Sequence, residues 1–204
     1  MWSNGAPAEI SCRLLLVRHA TAAGNGRFQG QRDVSLTTAG RQEVRLLVEK
    51  CSSHPVRAVY SSDLERARHT ACAVAGRFGL EVEVRSALRE MHFGRWQGLS
   101  WEQVRRRFPE LARQWTERFP RQPIPGAEPF REFKKRVDRE VQAVVAANRG
   151  RCALVVTHAG VIRVTLAKVL GLPERNLFRL AQDPGALNVI DYFDEGAVVR
   201  CING

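Results

Sequence analysis

Long apolar runs are absent from this sequence. No segment reaches 18 consecutive apolar residues, so no membrane-spanning helix and no membrane partner are expected. The stretch from Met1 to Glu9 has neither the basic region nor the apolar core of a secretory signal, so no export signal is predicted there. Low-complexity tracts and repeats of solenoid period are also missing, and a repeat architecture is therefore not expected.

Metal-ligand spacing is missing as well. The five cysteines are odd in number and widely scattered, without a CxxC pair or a Cys/His pattern (Cys12, Cys51, Cys72, Cys152, Cys201). They are typical of small core residues in a protein of the reducing cytoplasm, which is the predicted location. Neither a metal site nor a cofactor is predicted.

Acidic residues are fewer than basic ones, and the net charge is +11. Such a balance favours acidic partners, among them nucleic acid and phosphorylated small molecules. The densest basic clusters, residues 105–107 and 134–136, lie in stretches with helical patterns and lack the interleaved aromatics of single-strand binders. We therefore interpret them as solvated helix faces, and no nucleic acid partner is expected.

A buried strand is predicted from Leu14 to Val17, where four branched apolar residues follow one another. It ends at Arg18 and His19. In open α/β sheets the ligand crevice lies beyond the carboxyl ends of the strands, so this pair stands where chemistry is expected. Arginine offers a planar fork of donors for phosphate, and a neutral imidazole can attack phosphorus. Taken alone, the pair also fits a strand that ends in two solvated polar residues.

The same pattern returns between Ala153 and Gly160, where an apolar strand ends at His158 and a small Ala-Gly pair opens a helix. A helix predicted from Asp63 to about Arg77, with Ser62 and Glu65 at capping-box spacing, has Arg66 in its first turn. A cation there works against the helix dipole, which indicates a role other than stability. Taken singly, a histidine such as His158 is more often structural than catalytic, and an arginine such as Arg66 is more often a solvated helix residue.

The remaining patterns predict one domain over residues 1–204 with a helical excursion over about 95–130. Further strands are predicted at 56–60, 81–84, 187–193 and 197–201, and the last two are expected to form a hairpin. Further helices are predicted at 101–108, 130–147 and 161–170, and one more helix is predicted to end at about residue 50. Ser100 and Gln103 are the predicted caps of the helix at 101–108. Alternating strands and helices of this kind indicate an α/β fold.

Seven stretches of the sequence carry a family pattern: 16–21, 25–30, 33–40, 60–71, 88–98, 125–128 and 156–163. In these stretches, and in their order along the chain, the sequence resembles the histidine phosphatase superfamily, the phosphoglycerate-mutase-like proteins. The resemblance implies a three-layer α/β/α sandwich with a mainly parallel central sheet, in which the 95–130 excursion forms a lid over the active site.

The resemblance also implies roles for particular residues. His19 would be phosphorylated on a ring nitrogen, while Arg18, Arg66 and His158 hold the phosphoryl oxygens. Glu90 would act as general acid and then as general base, although by itself it is an ordinary loop acid. Arg68 is a rival for the second arginine, but the Leu-x-Arg-Ala pattern selects Arg66. Further substrate contacts would come from the loop residues Asn25, Gln29 and Gly30.

The sequence departs from the family pattern around the substrate, where Ala20-Thr21 lacks the usual acidic residue and Ala127-Glu128-Pro129 replaces Gly-Glu-Ser. The predicted function is hydrolysis of a phosphorylated small molecule through a phosphohistidine, as in the broad-specificity and α-ribazole phosphatases. A cofactor-dependent phosphoglycerate-type mutase is the alternative, although mutases of this family generally have longer chains. A non-catalytic, basic nucleic-acid-binding protein on the same fold is a further alternative, and the sequence leaves a homodimer open.

Overall fold

A mainly parallel sheet forms the centre of the computed structural model, which describes residues 9–204. The described strands are β1 Cys12–Arg18, β2 Val56–Ser61, β3 Val82–Val84, β4 Arg151–Thr157, β5 Leu187–Phe193 and β6 Gly196–Cys201. Residues 1–8, which make up most of the segment searched for an export signal, lie outside the described part.

The strands are arranged in the order β3-β2-β4-β1-β5-β6. The first four of these pair in parallel, since helices connect them, and β1–β5 and β5–β6 pair antiparallel. The short β3 lies at one edge and the predicted hairpin of β5 and β6 at the other. At the centre, β1 lies beside β4, in a register that pairs Arg18 with Thr157.

Helices cover both faces of the sheet, which confirms the predicted α/β/α class. The described helices are α1 Thr38–Ser52, α2 Glu65–Phe78, α3 Trp101–Arg107, α4 Pro109–Arg118, α5 Phe130–Ala147 and α6 Ala159–Val169. Short 3₁₀ helices lie at Ser86–Leu88, Gly94–Trp96 and Glu174–Arg179. Within residues 9–204 no helix combines the length and the apolar character needed to cross a membrane.

The run of buried residues in β1 serves two cores at once. Leu14 and Leu16 pack with α5 and α6 on one face, whereas Leu15 and Val17 pack with α1 and α2 on the other. All four side chains are fully buried. Because successive strand residues point to opposite faces, a strand covered on both sides needs an unbroken apolar run, and this is what the sequence has.

Most helix boundaries agree with the patterns. The predicted capping box of α3 is present, with Ser100 and Gln103 bonded reciprocally, and α5 has the predicted bounds. The predicted capping box of α2 is wrong: its N-cap is Leu64, in extended conformation and without a side-chain cap. Ser62 lies at the end of β2 instead, where its Oγ accepts from the Leu64 amide and contacts His158.

The 95–130 segment contains α3 and α4, the second of which begins with Pro109 at a position that needs no amide hydrogen. Trp96, Val104, Ala112 and Ile124 form a separate small core, packed against aromatic side chains that include Phe28. The lid role of this segment and the one-domain organisation stay predictions.

The basic clusters have different surroundings. Arg105, Arg106 and Arg107 are exposed in the last turn of α3, as predicted for a solvated face and where a cation suits the helix dipole. For Arg136 that prediction is wrong. Its guanidinium pairs with Glu128 and donates to the main-chain carbonyls of Ala87, Arg89 and Glu90, so it holds the loop that carries Glu90.

Candidate active site

Two buried histidines meet at the carboxyl ends of β1 and β4. Because these strands are parallel neighbours in register, His19 and His158 leave the sheet side by side, with ring centroids 5.2 Å apart. Only 8% of His19 and 1% of His158 are exposed. The structure therefore brings together the two histidines that the repeated strand pattern singled out.

His19 is arranged as a neutral nucleophile. Its Nδ1 lies 2.8 Å from the carbonyl of Ala20, an acceptor, which assigns the proton to Nδ1 and leaves the lone pair on Nε2. Burial, and then the charges of Arg66 and Arg18, lower the pKa of His19 to about 3. At neutral pH the imidazole is therefore uncharged, and Nε2 is the nitrogen whose lone pair would attack an electrophile.

Arg66 is almost wholly buried beside that nitrogen. Its Nε–H donates to Nε2 of His19 at 3.2 Å, and its two terminal nitrogens donate to the carbonyls of Gly30 and Arg32 at 2.7 Å each. Gly30 has a φ of +54°, and a Cβ there would lie 2.3 Å from Oε1 of Gln97. The positive φ favours glycine at this position, and a side chain there would also displace Gln97.

Arg18 and His158 each have a buried nitrogen without a protein partner. Nε of Arg18 finds no acceptor within residues 9–204, although one terminal nitrogen donates to the carbonyl of Gln182. Nδ1 of His158 likewise has no partner among the described residues. Burial lowers the pKa of both groups. A buried donor normally has an acceptor, and oxygen atoms of a phosphoryl group would supply it.

Ser62 contacts the other ring nitrogen of His158. Its Oγ accepts from the Leu64 amide and lies 2.9 Å from Nε2 of His158, the one other group within residues 9–204 that hydrogen-bonds to this hydroxyl. We therefore assign the hydroxyl hydrogen to Nε2, which places the proton of the neutral ring on Nδ1, the buried nitrogen without a partner among the described residues. The sequence analysis missed this role, since it interpreted Ser62 as a helix cap.

Glu90 is held by two backbone amides. Its Oε1 accepts from Met91 at 2.9 Å and its Oε2 from Gly160 at 3.0 Å, in the first turn of α6. A Cβ on Gly160 would lie 2.1 Å from Oε1, so only glycine leaves room for the carboxylate. Burial lowers the pKa of both Arg18 and Arg66, and the charge of Glu90 is the main effect that opposes it.

The three loop residues with predicted substrate contacts differ in how close they lie to the centre of the site. Gly30 is close to the centre through its carbonyl on Arg66. Gln29 uses its amide nitrogen on the carbonyls of Ala23 and Gly24, which shapes the loop. Asn25 is exposed. Substrate contacts of Asn25 and Gln29 therefore stay predictions.

Arg163 is a second residue whose role the sequence analysis missed. It is partly buried on α6; its Nε donates to the carbonyl of Leu180, and its guanidinium lies 5.6 Å from the ring of Phe178. Burial lowers the pKa of Arg163, and the carboxylate of Glu90 opposes this most. The sequence feature that could have indicated Arg163 is its position in the family-matching stretch 156–163, which also contains His158.

Within residues 9–204, no three His, Cys, Asp or Glu side chains come together as metal ligands. The positive charge at this centre comes from arginines, beside a neutral histidine with an available lone pair. Such an arrangement defines a phosphoryl-binding site at the carboxyl edge of an α/β sheet.

Comparison with known proteins agrees with that class. Residues 14–204 match the histidine phosphatase superfamily (branch 1), and the chain belongs to this family. It is 32% identical to a Mycobacterium tuberculosis protein described as bifunctional, over 94% of this chain and 53% of that protein, so it spans about half the length of that relative. It is 28% identical to phosphoserine phosphatase 1 of Hydrogenobacter thermophilus, over 94% and 92% of the two chains.

A solved structure shares the fold as well. The α-ribazole phosphatase of Shigella flexneri superposes with a TM-score of 0.82 at 27% identity, covering 94% of this chain and 96% of that one. The predicted fold class and the predicted resemblance are thus both confirmed.

Proposed function

We propose that this protein hydrolyses phosphomonoesters of small molecules through a phosphohistidine at Nε2 of His19. The observation that carries the proposal is the neutral His19, whose Nε2 lone pair lies beside the buried guanidinium of Arg66. Phosphoryl transfer requires mainly a placed nucleophile and neutralisation of oxygen charge, and these groups supply both.

In the first step a bond forms between Nε2 of His19 and phosphorus, and the bond from phosphorus to the ester oxygen breaks. This step requires Glu90 in its protonated form: the carboxylic acid gives its proton to that oxygen, so the alcohol leaves neutral and Glu90 becomes a carboxylate. In the second step Glu90 takes a proton from water, the water oxygen bonds to phosphorus, and the bond to Nε2 breaks. Arg18, Arg66 and Nδ1 of His158 hold the phosphoryl oxygens throughout.

The covalent step is tested by peptide mapping after brief incubation with substrate. The reaction is stopped in denaturant at alkaline pH, because a phosphorus–nitrogen bond is labile in acid. We expect phosphate on the peptide with Arg18 and His19. His19→Ala should remove both label and turnover, whereas the control His69→Ala, at an exposed histidine on α2, should keep them. Label on serine or cysteine would refute the mechanism.

The role of Glu90 is tested by leaving groups of different basicity. Glu90→Gln should slow phosphorylation by an alkyl phosphate roughly 10²–10⁴-fold, because an alkoxide leaves poorly without a proton. Phosphorylation by p-nitrophenyl phosphate should suffer far less, since p-nitrophenolate is stable unprotonated. Single-turnover rates are needed, because Glu90 also serves the second step. Equal losses with both substrates would show that Glu90 is not the acid.

A mutase would return the phosphoryl group to an alcohol instead of releasing inorganic phosphate, so product analysis separates the alternative. The absence of nucleic acid binding, the cytoplasmic location and the choice between monomer and homodimer stay predictions.

A further inference from the structure

An apolar slot lies against the carboxylate of Glu90. Glu90, Gly160 and Arg163 form one end of its wall, and the rest comes from α4, α5, α6 and the segments around residues 91–93 and 177–178. In the proposed reaction Glu90 protonates the ester oxygen. The carbon bonded to that oxygen must then lie close to Glu90, which is a lining residue of the slot.

The wall of the slot is mostly aromatic. The rings of Trp115, Phe119 and Phe178 lie 5.0–5.3 Å from one another, edge-on or tilted, and Met91 and Phe93 are further lining residues. Such packing fixes the rings in place. A polar leaving group packed against these rings would lose its water without gaining hydrogen bonds from them, at a substantial cost in free energy.

Arg163 is the one cation in the wall among the described residues, and part of its bonding capacity is already used. Its Nε donates to the carbonyl of Leu180, its guanidinium lies over Phe178, and the carboxylates of Glu90 and Asp183 both raise its pKa against the effect of burial. Arg163 is therefore the one group of this wall that an anionic leaving group would contact, and the test below includes two charged esters for this reason.

The slot is also small. Its volume is about 60 Å³, which is roughly that of two water molecules in the liquid and holds a chain of about two or three carbons. Met91, Trp115, Phe119 and Phe130 separate it from an outer groove of about 600 Å³. A leaving group therefore meets an apolar wall within a few bonds of the ester oxygen.

We propose that the substrates are phosphomonoesters of apolar alcohols, whose first carbons fill the slot beside Glu90. This inference rests on the proposed function and adds the class of leaving group. Esters with a charged or strongly polar group next to the ester carbon, such as O-phosphoserine, are then poor substrates.

The test compares kcat/KM for methyl, ethyl, propyl and butyl phosphate with that for glycolic acid phosphate and O-phosphoserine. The simple alkanols beyond methanol are nearly equally acidic, so differences among their esters report binding. We expect a rise of roughly four- to tenfold for each methylene up to about propyl and little further gain, because transfer of a methylene from water is favourable only while the slot has room. The two charged esters should react at least tenfold more slowly than propyl phosphate.

A variant pair locates the effect. Val164→Leu on α6 adds a methylene at the wall and should remove most of the gain from methyl to propyl phosphate. Val169→Leu makes the same change on the same helix at a different cavity and should keep the wild-type gradient. The wild-type substrate series decides the question even if Val164→Leu folds poorly.

A flat or falling dependence on chain length, or a preference for the charged esters, would overturn the inference. Such a result, combined with phosphate on His19, would leave the proposed hydrolysis intact and assign Arg163 to an anionic group of the substrate. No turnover of any ester and no label on His19 would refute the proposed function together with the inference.

Discussion

Gly160→Ala should separate catalysis from stability in this protein. Gly160 occupies the first turn of α6, where alanine is the better helix former by about 1 kcal/mol. Its Cβ, however, would lie 2.1 Å from Oε1 and 3.0 Å from Cδ of Glu90. Heavy atoms at such contacts need more than 3 Å, so the carboxylate must retreat by about 1 Å and lose the bond from the Gly160 amide.

Gly160→Ala has two effects on stability, and they have opposite signs. The lost hydrogen bond costs about 1 kcal/mol and the helix gains a similar amount, so the free energy of unfolding should change by no more than ~1 kcal/mol and Tm by ~2–4 °C. Displacement of a catalytic group by about 1 Å should cost roughly 10²-fold in rate. The loss should be large for ethyl phosphate and much smaller for p-nitrophenyl phosphate, since Glu90 acts on the leaving oxygen.

The assay is single-turnover phosphorylation of His19 with both substrates, together with a thermal melt. Gly76→Ala is the matched control, because Gly76 lies in α2 and its Cβ would meet open space. The control should be as stable as the wild type or more so, and equally active. Full activity of Gly160→Ala with ethyl phosphate, or equal losses with both substrates, would refute the assigned position of Glu90.

Two further predictions concern metal and pH. Turnover should survive dialysis against EDTA, since arginines supply the positive charge; loss on dialysis and recovery with magnesium or zinc would contradict this. Because His19 has a pKa of about 3 when folded and near 6.5 when unfolded, the unfolded chain binds more protons between these values, and the free energy of unfolding falls as pH falls through this window. Between pH 7.5 and pH 5, the free energy of unfolding of His19→Asn, measured by denaturant titration, should therefore fall by about 2 kcal/mol less than that of the wild type. Equal decreases in the two proteins would show that the pKa of His19 is not lowered by folding.

Local sequence was enough to predict the central strands and the two histidines that follow them, whereas the mainly parallel sheet was implied by the family resemblance. The apolar runs that end at Arg18 and at Thr157 specify buried parallel strands, and any two such neighbours present their next residues together. Arg66 was predictable for a similar reason, because it combines a helix first turn with an unfavourable charge there.

Contacts between distant segments were not predictable from the sequence. Ser62 and His158 are 96 positions apart, and Glu90 and Gly160 are 70 apart. Ser62 also stands three residues before Glu65, a spacing that favours a cap, yet the extended Leu64 starts the helix two residues later. The prediction for Arg136 was wrong because an arginine that faces solvent and an arginine that donates to main-chain carbonyls occupy the same kind of polar position in a helical sequence pattern.

The main-chain anchoring of Arg66 has a consequence for how readily such an enzyme can be altered. Two of its three nitrogens donate to carbonyl oxygens, which every amino acid carries, and of the two residues that supply them only Gly30 has a positive φ, which favours glycine. Arg32 is exposed and contributes only its carbonyl to Arg66. A library randomised at position 32 can therefore sample new loop chemistry beside the proposed phosphoryl site while the Arg66 guanidinium stays in place.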